Sequence, residues 1–248
     1  MVQDWQARRT SFGAVAADYA ALRPGYPAQA VAFLLADRPL RVLDLGAGTG
    51  LLTDQLLAAG HEVVAVDPSA PMLAQLAARL PEVEVLLGGA EEVPLPAGSV
   101  DAVVAGQAAH WFDLVPAAAE LRRVLRPGGV VGFVWNTRDE RVPWVRALGE
   151  LLAAESRDHE ADQGVVERFA AELHATVETA ESAVVQRVTP EQVLRGIGTR
   201  SYVATMDDAR RAEFLGRVRA LLASHPDTRG APSIDLPHTT RAYRLTPG

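Results

Sequence analysis

The chain contains no cysteine, which excludes a disulfide framework, thiol catalysis and a thiolate zinc centre. It is also short of positive charge. Its 24 Lys and Arg stand against 31 Asp and Glu, a formal net charge of -7, and that balance opposes docking on an extended phosphate backbone. Nowhere do about 18 apolar residues run uninterrupted, the length that a membrane-crossing helix needs. Met1–Thr10 (MVQDWQARRT) lacks the apolar core that a secretory leader carries behind its basic end. The reading is of a cytoplasmic protein with neither a nucleic-acid nor a membrane partner, its oligomeric state open. Gly-x-Ser-x-Gly and His-Glu-x-x-His are missing as well, so serine hydrolysis and a metal-dependent hydrolytic site have no support.

What is present is a chain of 248 residues, 48% hydrophobic and 22% charged. Size scaling lets a chain of this length bury about 72% of its unfolded surface. Short β-branched runs alternate with Ala/Leu-rich stretches, the pattern of βαβ units that build a parallel sheet. Strands are expected at 41–45, 62–66, 83–87, 100–105 and 130–135, each nearly all apolar, as burial on both faces requires. Helices are expected at 49–59, closed by Gly60, at 70–79 and at 114–125, the last broken by Pro127-Gly128-Gly129. Beyond Asn136 the pattern loosens. Helical stretches at 142–155 and 165–173 precede a β-like run at 183–188. Thr189 then reads as an N-cap with Pro190 at the first helical position, followed by a helix at 208–223 and a last strand within 233–245. No Pro-, Gly- or Ser-rich linker divides the chain. The expectation is one α/β domain, doubly wound around a mostly parallel sheet. Residues 1–39 would form a helical cap, 40–137 the ligand-binding core, and 138–248 helical additions, able to form a lid, with the last strands.

Asp44-Leu45-Gly46-Ala47-Gly48-Thr49-Gly50 falls where the first strand turns into the first helix, a place where glycines let a ligand approach the backbone. A dinucleotide fingerprint calls for Gly or Ala at Leu51. Asp44 adds a carboxylate that repels a pyrophosphate but can hold an ammonium group. Asp67, ending the second strand 21 residues after Gly46, stands where an acid can accept hydrogen bonds from ribose hydroxyls. An adenosine end and an amino-acid end without phosphate describe S-adenosyl-L-methionine. Each residue also has a plainer reading. The glycines could only permit tight packing, Asp67 could cap the helix after Pro68, and Glu91 could be a solvated loop acid.

Three segments carry a resemblance: VLDLGAGTG (42–50), VVAVDPSAPML (63–73) and LLGGAEEVPLPAGSVDAVV (86–104). With them the chain resembles the class I S-adenosylmethionine-dependent methyltransferases, in the small-molecule branch that holds carboxyl- and quinone-methylating enzymes. That resemblance implies a Rossmann-like fold with a seven-stranded sheet and S-adenosyl-L-methionine as cofactor. By the same likeness Gly46, Ala47 and Gly48 line the methionine part, with Asp44 at its ammonium. Asp67 and Pro68 lie at the ribose, Met72, Ala90 and Glu91 border the adenine, and Gln107 closes the cleft. FGAVAADYAALRPGYP (12–27) is similar to the family's N-terminal cap, from which Tyr19 and Arg23 would reach the methionine end. Arg23 could pair with its carboxylate in two parallel hydrogen bonds.

Methyl transfer displaces a sulfonium in line, so the protein mainly aligns the acceptor and excludes water. His110, just beyond the fourth strand, is the candidate catalytic residue, as a base or as a group that orients the acceptor. A structural histidine is the alternative. Trp111 would pack nearby, and Trp135, Asn136, Arg138 and Tyr202 could face the acceptor. Asp158, His159, Glu160 and Asp162 read as a solvated face rather than a metal site. The expected activity is methylation of a small organic acceptor. The alternative is a protein of the same fold that binds the cofactor for a cyclase or sensor role.

Overall fold

The computed structural model describes residues 22–35, 38–153, 162–198 and 201–248. Asp158, His159 and Glu160 lie outside them, as does Tyr19. The elements run α1 (Ala28–Leu34), β1 (Arg41–Leu45), α2 (Leu51–Ala58), β2 (Glu62–Asp67), α3 (Ala70–Arg79), β3 (Glu84–Leu87) and β4 (Val100–Gly106). A single 3-10 turn (Ala109–Trp111) leads to α4 (Leu114–Val124) and β5 (Leu125–Arg138). Then follow α5 (Pro143–Ala153), α6 (Asp162–Leu173), β6 (Ala175–Val188), α7 (Pro190–Gly198), α8 (Ser201–Ala204), α9 (Asp208–Ser224) and β7 (Ile234–Pro247).

The seven strands form one sheet in the order β3-β2-β1-β4-β5-β7-β6. The pairs β1/β2, β1/β4, β2/β3 and β4/β5 are parallel. Chain order reverses between β1 and β4, and the crevice at such a reversal, outside the carboxyl ends of the strands, is where open α/β sheets bind ligands. The central strands are apolar because both faces are covered: Val42, Leu43, Val64, Val66, Val103 and Val104 are all at or below 1% exposure. β3 departs from that expectation. It is the edge strand, half exposed, and Leu87 is left 63% exposed at its carboxyl end.

Two compact units make up the chain. One comprises 25–136, 160–182 and 240–248, and holds the carboxyl ends of β1, β2, β3 and β4. Its apolar core runs through Leu43, Val103, Leu121, Val131, Phe133 and Phe169. The other comprises 1–24, 137–159 and 183–239. Its own core gathers Trp144, Leu148, Val193, Tyr202, Phe214 and Ile234. Within it, Thr189 Oγ1 accepts from Gln192 N at 3.2 Å while Gln192 Oε1 accepts from Thr189 N at 2.8 Å, a reciprocal cap that starts α7 where Thr189 was expected to.

Two elements differ in extent from the sequence expectation. Pro127-Gly128-Gly129 does not separate α4 from the next strand. It lies inside β5, where a register shift between Val100 and Ala102 of β4 absorbs the irregular backbone and Gly128 takes φ 78°. β6 begins eight residues earlier than its apolar run, because as the other edge strand it carries Glu178 and Glu181 outward. Glu181 pairs with Arg241 of β7 at 2.8 Å, and such an alternating polar strand shows no apolar run in the sequence.

Candidate active site

The β1–α2 turn is built on glycines in the left-handed region, with φ of 75° at Gly46, 57° at Gly48 and 84° at Gly50. The three do different work. A Cβ on Gly46 would sit 2.6 Å from Ala108 Cβ, and one on Gly50 would sit 2.8 Å from Leu76 Cγ, so these two glycines serve close packing. A Cβ on Gly48 would meet nothing within 4 Å, and here alone the turn faces open space. Gly50→Ala is therefore expected to lower the melting temperature by several degrees. Gly48→Ala should cost about 1 kcal/mol from its positive φ while weakening ligand binding; thermal denaturation and calorimetry separate the two effects.

Two acids flank the turn. Asp44, 1% exposed at the end of β1, accepts a 2.6 Å hydrogen bond from Thr53 Oγ1 on Oδ2. Its Oδ1 is buried and has no hydrogen-bond partner among the described residues. Burial, only partly offset by the Thr53 bond and reinforced by the charge of Asp67, pushes its pKa from 3.8 up to about 7. Asp67 ends β2 with 8% exposure. Its Oδ2 accepts from Gly48 N and its Oδ1 from Ser69 N, both at 2.8 Å. One carboxylate thus ties the glycine turn to Ser69, the residue immediately before α3.

Around these acids, Met72 in the first turn of α3 and Ala90 are buried, Ala47 is 8% exposed, and Pro68 lies at the surface. Glu91 is not a freely solvated loop acid: its Oε1 accepts from Asp113 N at 3.0 Å. Gln107 takes φ 56°, unusual for a side-chain-bearing residue. It is held there by Nε2 donating to Asn136 O at 2.8 Å and by its own N donating to Val134 O at 2.9 Å. Ala108, against Gly46, brings the segment after β4 onto the turn. Two residues on, His110 is half-buried, with its ring 5.0 Å from that of Trp111. Trp135 Nε1 donates to His110 Nδ1 at 3.5 Å. Trp135, expected to face an acceptor, is a core residue at 2% exposure, edge-on to Phe133 and Tyr243.

Arg23, Arg138 and Tyr202 belong to the other unit. Sequence reasoning missed Arg79, whose Nη2 donates to Thr49 O at 2.9 Å and to Gly50 O at 2.7 Å while Nη1 pairs with Asp54 at 2.6 Å. The only local signal was a basic residue in the last turn of α3. It also missed Leu87, which stands opposite Asp67 in the β2/β3 register.

Residues 43–133 match the methyltransferase domain family. A methyltransferase of Mycobacterium tuberculosis, itself uncharacterized, is 44% identical over 236 residues, 95% of each chain. The present chain belongs to the class I S-adenosylmethionine-dependent methyltransferases. A malonyl-[acyl-carrier protein] O-methyltransferase of Pectobacterium atrosepticum is 37% identical to this methyltransferase over 132 residues, 52% of each chain. Among solved structures, a candidate type II methyltransferase from Anaeromyxobacter dehalogenans superposes with a TM-score of 0.66 at 28% identity. That match covers 91% of this chain and 97% of that one. No helix among the methyltransferase's described residues is long and apolar enough to cross a membrane.

The family's cofactor, S-adenosyl-L-methionine, can be tested against the residues present. Its amino-acid end carries an ammonium, and the turn offers a buried carboxylate oxygen without a donor. Its nucleoside end carries hydroxyl donors, and the Asp67 carboxylate at the end of β2 is an acceptor beside the turn. The chemistry of the donor set fits.

Proposed function

We propose that this methyltransferase passes the methyl group of S-adenosyl-L-methionine to a small organic acceptor, most simply at oxygen. The observation that carries this reading is the unpartnered Oδ1 of Asp44, one side of a turn that opens only at Gly48. A buried carboxylate oxygen with no donor is costly, and an ammonium group supplies what it lacks. In the same reading Asp67 accepts from the ribose hydroxyls, and Gly46, Ala47 and Gly48 back the methionine chain. Pro68 lies beside Asp67 at the ribose, and Met72, Ala90 and Glu91 border the adenine, with Leu87 offering its exposed apolar face. Gln107, locked by Val134 and Asn136, borders the sulfur. Tyr19 and Arg23 stay assigned to the methionine end on resemblance. The relative named as an O-methyltransferase supports an oxygen acceptor.

When bound, the cofactor supplies a methyl group already activated by positive sulfur, so no protein nucleophile is required. The chain's part is alignment and exclusion of water. His110 orients the acceptor. Trp135 Nε1 lies 3.5 Å from its Nδ1 and helps hold the ring in place. His110→Ala should lower kcat by about 100-fold with cofactor affinity kept within about twofold. Incubation with methyl-labelled cofactor and a panel of small metabolites tests the reading. Label transfer to a small acceptor is expected, whereas tight cofactor binding without transfer to any compound would defeat it.

A further inference from the structure

A threonine inside a helix ordinarily faces water or turns its hydroxyl back to the carbonyl four residues earlier. Thr53, the third residue of α2, does neither. It is fully buried, and its Oγ1 reaches across to the strand, where it donates to Oδ2 of Asp44 at 2.6 Å. The carbonyl it passes over, Thr49 O, is taken by Arg79 Nη2 at 2.9 Å. A bond of 2.6 Å has the length of a hydroxyl bound to an ionised carboxylate. The sheet offers no substitute. In its register Asp44 lies between Ala65 of β2 and Val104 of β4, neither of which carries a polar side-chain atom. Among the described residues Thr53 is the one side-chain donor to Asp44, and Oδ1 is left bare.

We propose that Thr53 is a positioning residue of the cofactor site: by holding Oδ2 it fixes the plane of the Asp44 carboxyl and presents Oδ1 to the ammonium group of S-adenosyl-L-methionine. This role rests on the reading of Asp44 as the partner of that ammonium. The same bond favours the charged carboxylate, which is the form the ammonium needs. Burial and the like charge of Asp67 on β2 oppose it, while the Thr53 backbone adds a weaker pull in its favour. Asp54 of α2 and Arg79 of α3 satisfy one another at 2.6 Å nearer the surface. The balance leaves the carboxyl titrating at about 7, where the loss of one hydroxyl moves it out of its ionised range at neutral pH. Cofactor capture is thereby sensitive to pH, and Thr53 sets the pH at which it begins.

The test is calorimetric titration of the full chain with S-adenosylhomocysteine at pH 7 and pH 8.5 and constant ionic strength. Comparing each variant with wild type at the same pH cancels the titration of the ligand's own amine. Thr53→Val keeps the shape of the side chain and loses its donor. It should weaken binding by about 10-fold at pH 7 but by no more than about threefold at pH 8.5, where the higher pH restores the carboxylate that the hydroxyl no longer favours. Proton release on binding at pH 7 should rise from about half a proton toward one. Thr53→Ser, which returns the hydroxyl, should reverse both changes. Undiminished binding by Thr53→Val, a loss of the same size at both pH values, or a serine variant no better than the valine one would overturn the proposal. Asp44→Asn keeps the two readings apart. If it loses the ligand while Thr53→Val does not, the role of Thr53 alone fails; if it binds like wild type, the ammonium reading fails and Thr53 with it. Should Thr53→Val not fold, Thr53→Cys, whose thiol is a weak donor, carries the same comparison.

Discussion

Asp44→Asn should make the methyltransferase more stable and unable to hold its cofactor. In the folded chain the Asp44 carboxyl titrates at about 7 against 3.8 for an ordinary aspartate. Between pH 4 and 7 the folded chain keeps a proton that the unfolded chain has released, so stability falls as pH rises through this window. The whole fall amounts to about 4 kcal/mol. Asparagine removes that titration but brings an amide N–H₂ into the place of an oxygen, at a cost of about 1–3 kcal/mol when unsatisfied. At pH 8 the net gain is about 2 kcal/mol, a rise in melting temperature of roughly 4–8 °C. At pH 4, where wild-type Asp44 is already largely neutral, the gain should vanish or reverse. Breaking a buried charge pair costs about 3–5 kcal/mol, so affinity for S-adenosylhomocysteine should drop by at least about 100-fold. Denaturation across pH together with calorimetry reads both effects. A variant less stable than wild type at pH 8 would contradict the account of Asp44.

Asp67→Ala is expected to lose on both counts. The carboxylate accepts from Gly48 N and Ser69 N at 2.8 Å each, and no backbone carbonyl replaces it. Two donors beside the glycine turn are left without acceptors, a cost of about 2–4 kcal/mol. The turn then loses its tie to α3 while Arg79 still holds its carbonyls at Thr49 and Gly50. Cofactor affinity should fall by at least about 100-fold, with the ribose contact and the turn geometry lost together. Asp67→Asn is the informative companion. Its single amide oxygen can serve one backbone N–H while its N–H₂ opposes the other, so its stability should fall between wild type and Asp67→Ala. Equal melting temperatures for all three proteins would show that the two backbone bonds carry no stability.

The parts of the fold legible in the sequence are those whose signals are local. β1 and α3 have the limits their residues announce, because an unbroken apolar run and a Ser-Ala-Pro start need no distant partner to be recognised. The turn at Gly46–Gly50 was legible for the same reason, as were Asp44 and Asp67 on either side. The division of labour among the glycines was not, since it is decided by Ala108 and Leu76, far along the chain. The hold of Arg79 on the turn spans 29 and 30 residues, and the Trp135–His110 contact spans 25. Spacing encodes neither. Exposed edge strands, β6 above all, escape a reading based on apolar runs because water rather than a second layer covers much of them.

The central claim is that Asp44 keeps an unpaired buried oxygen for the ammonium end of the cofactor. Titration calorimetry with S-adenosylhomocysteine at pH 7, repeated in two buffers of different ionisation enthalpy, tests it most directly. A carboxyl titrating near 7 is about half protonated before binding and ionised after it. One molecule should therefore bind per chain with release of about half a proton, and Asp44→Asn should abolish that release. Absence of binding heat, or binding with no proton released and no loss in Asp44→Asn, would contradict it.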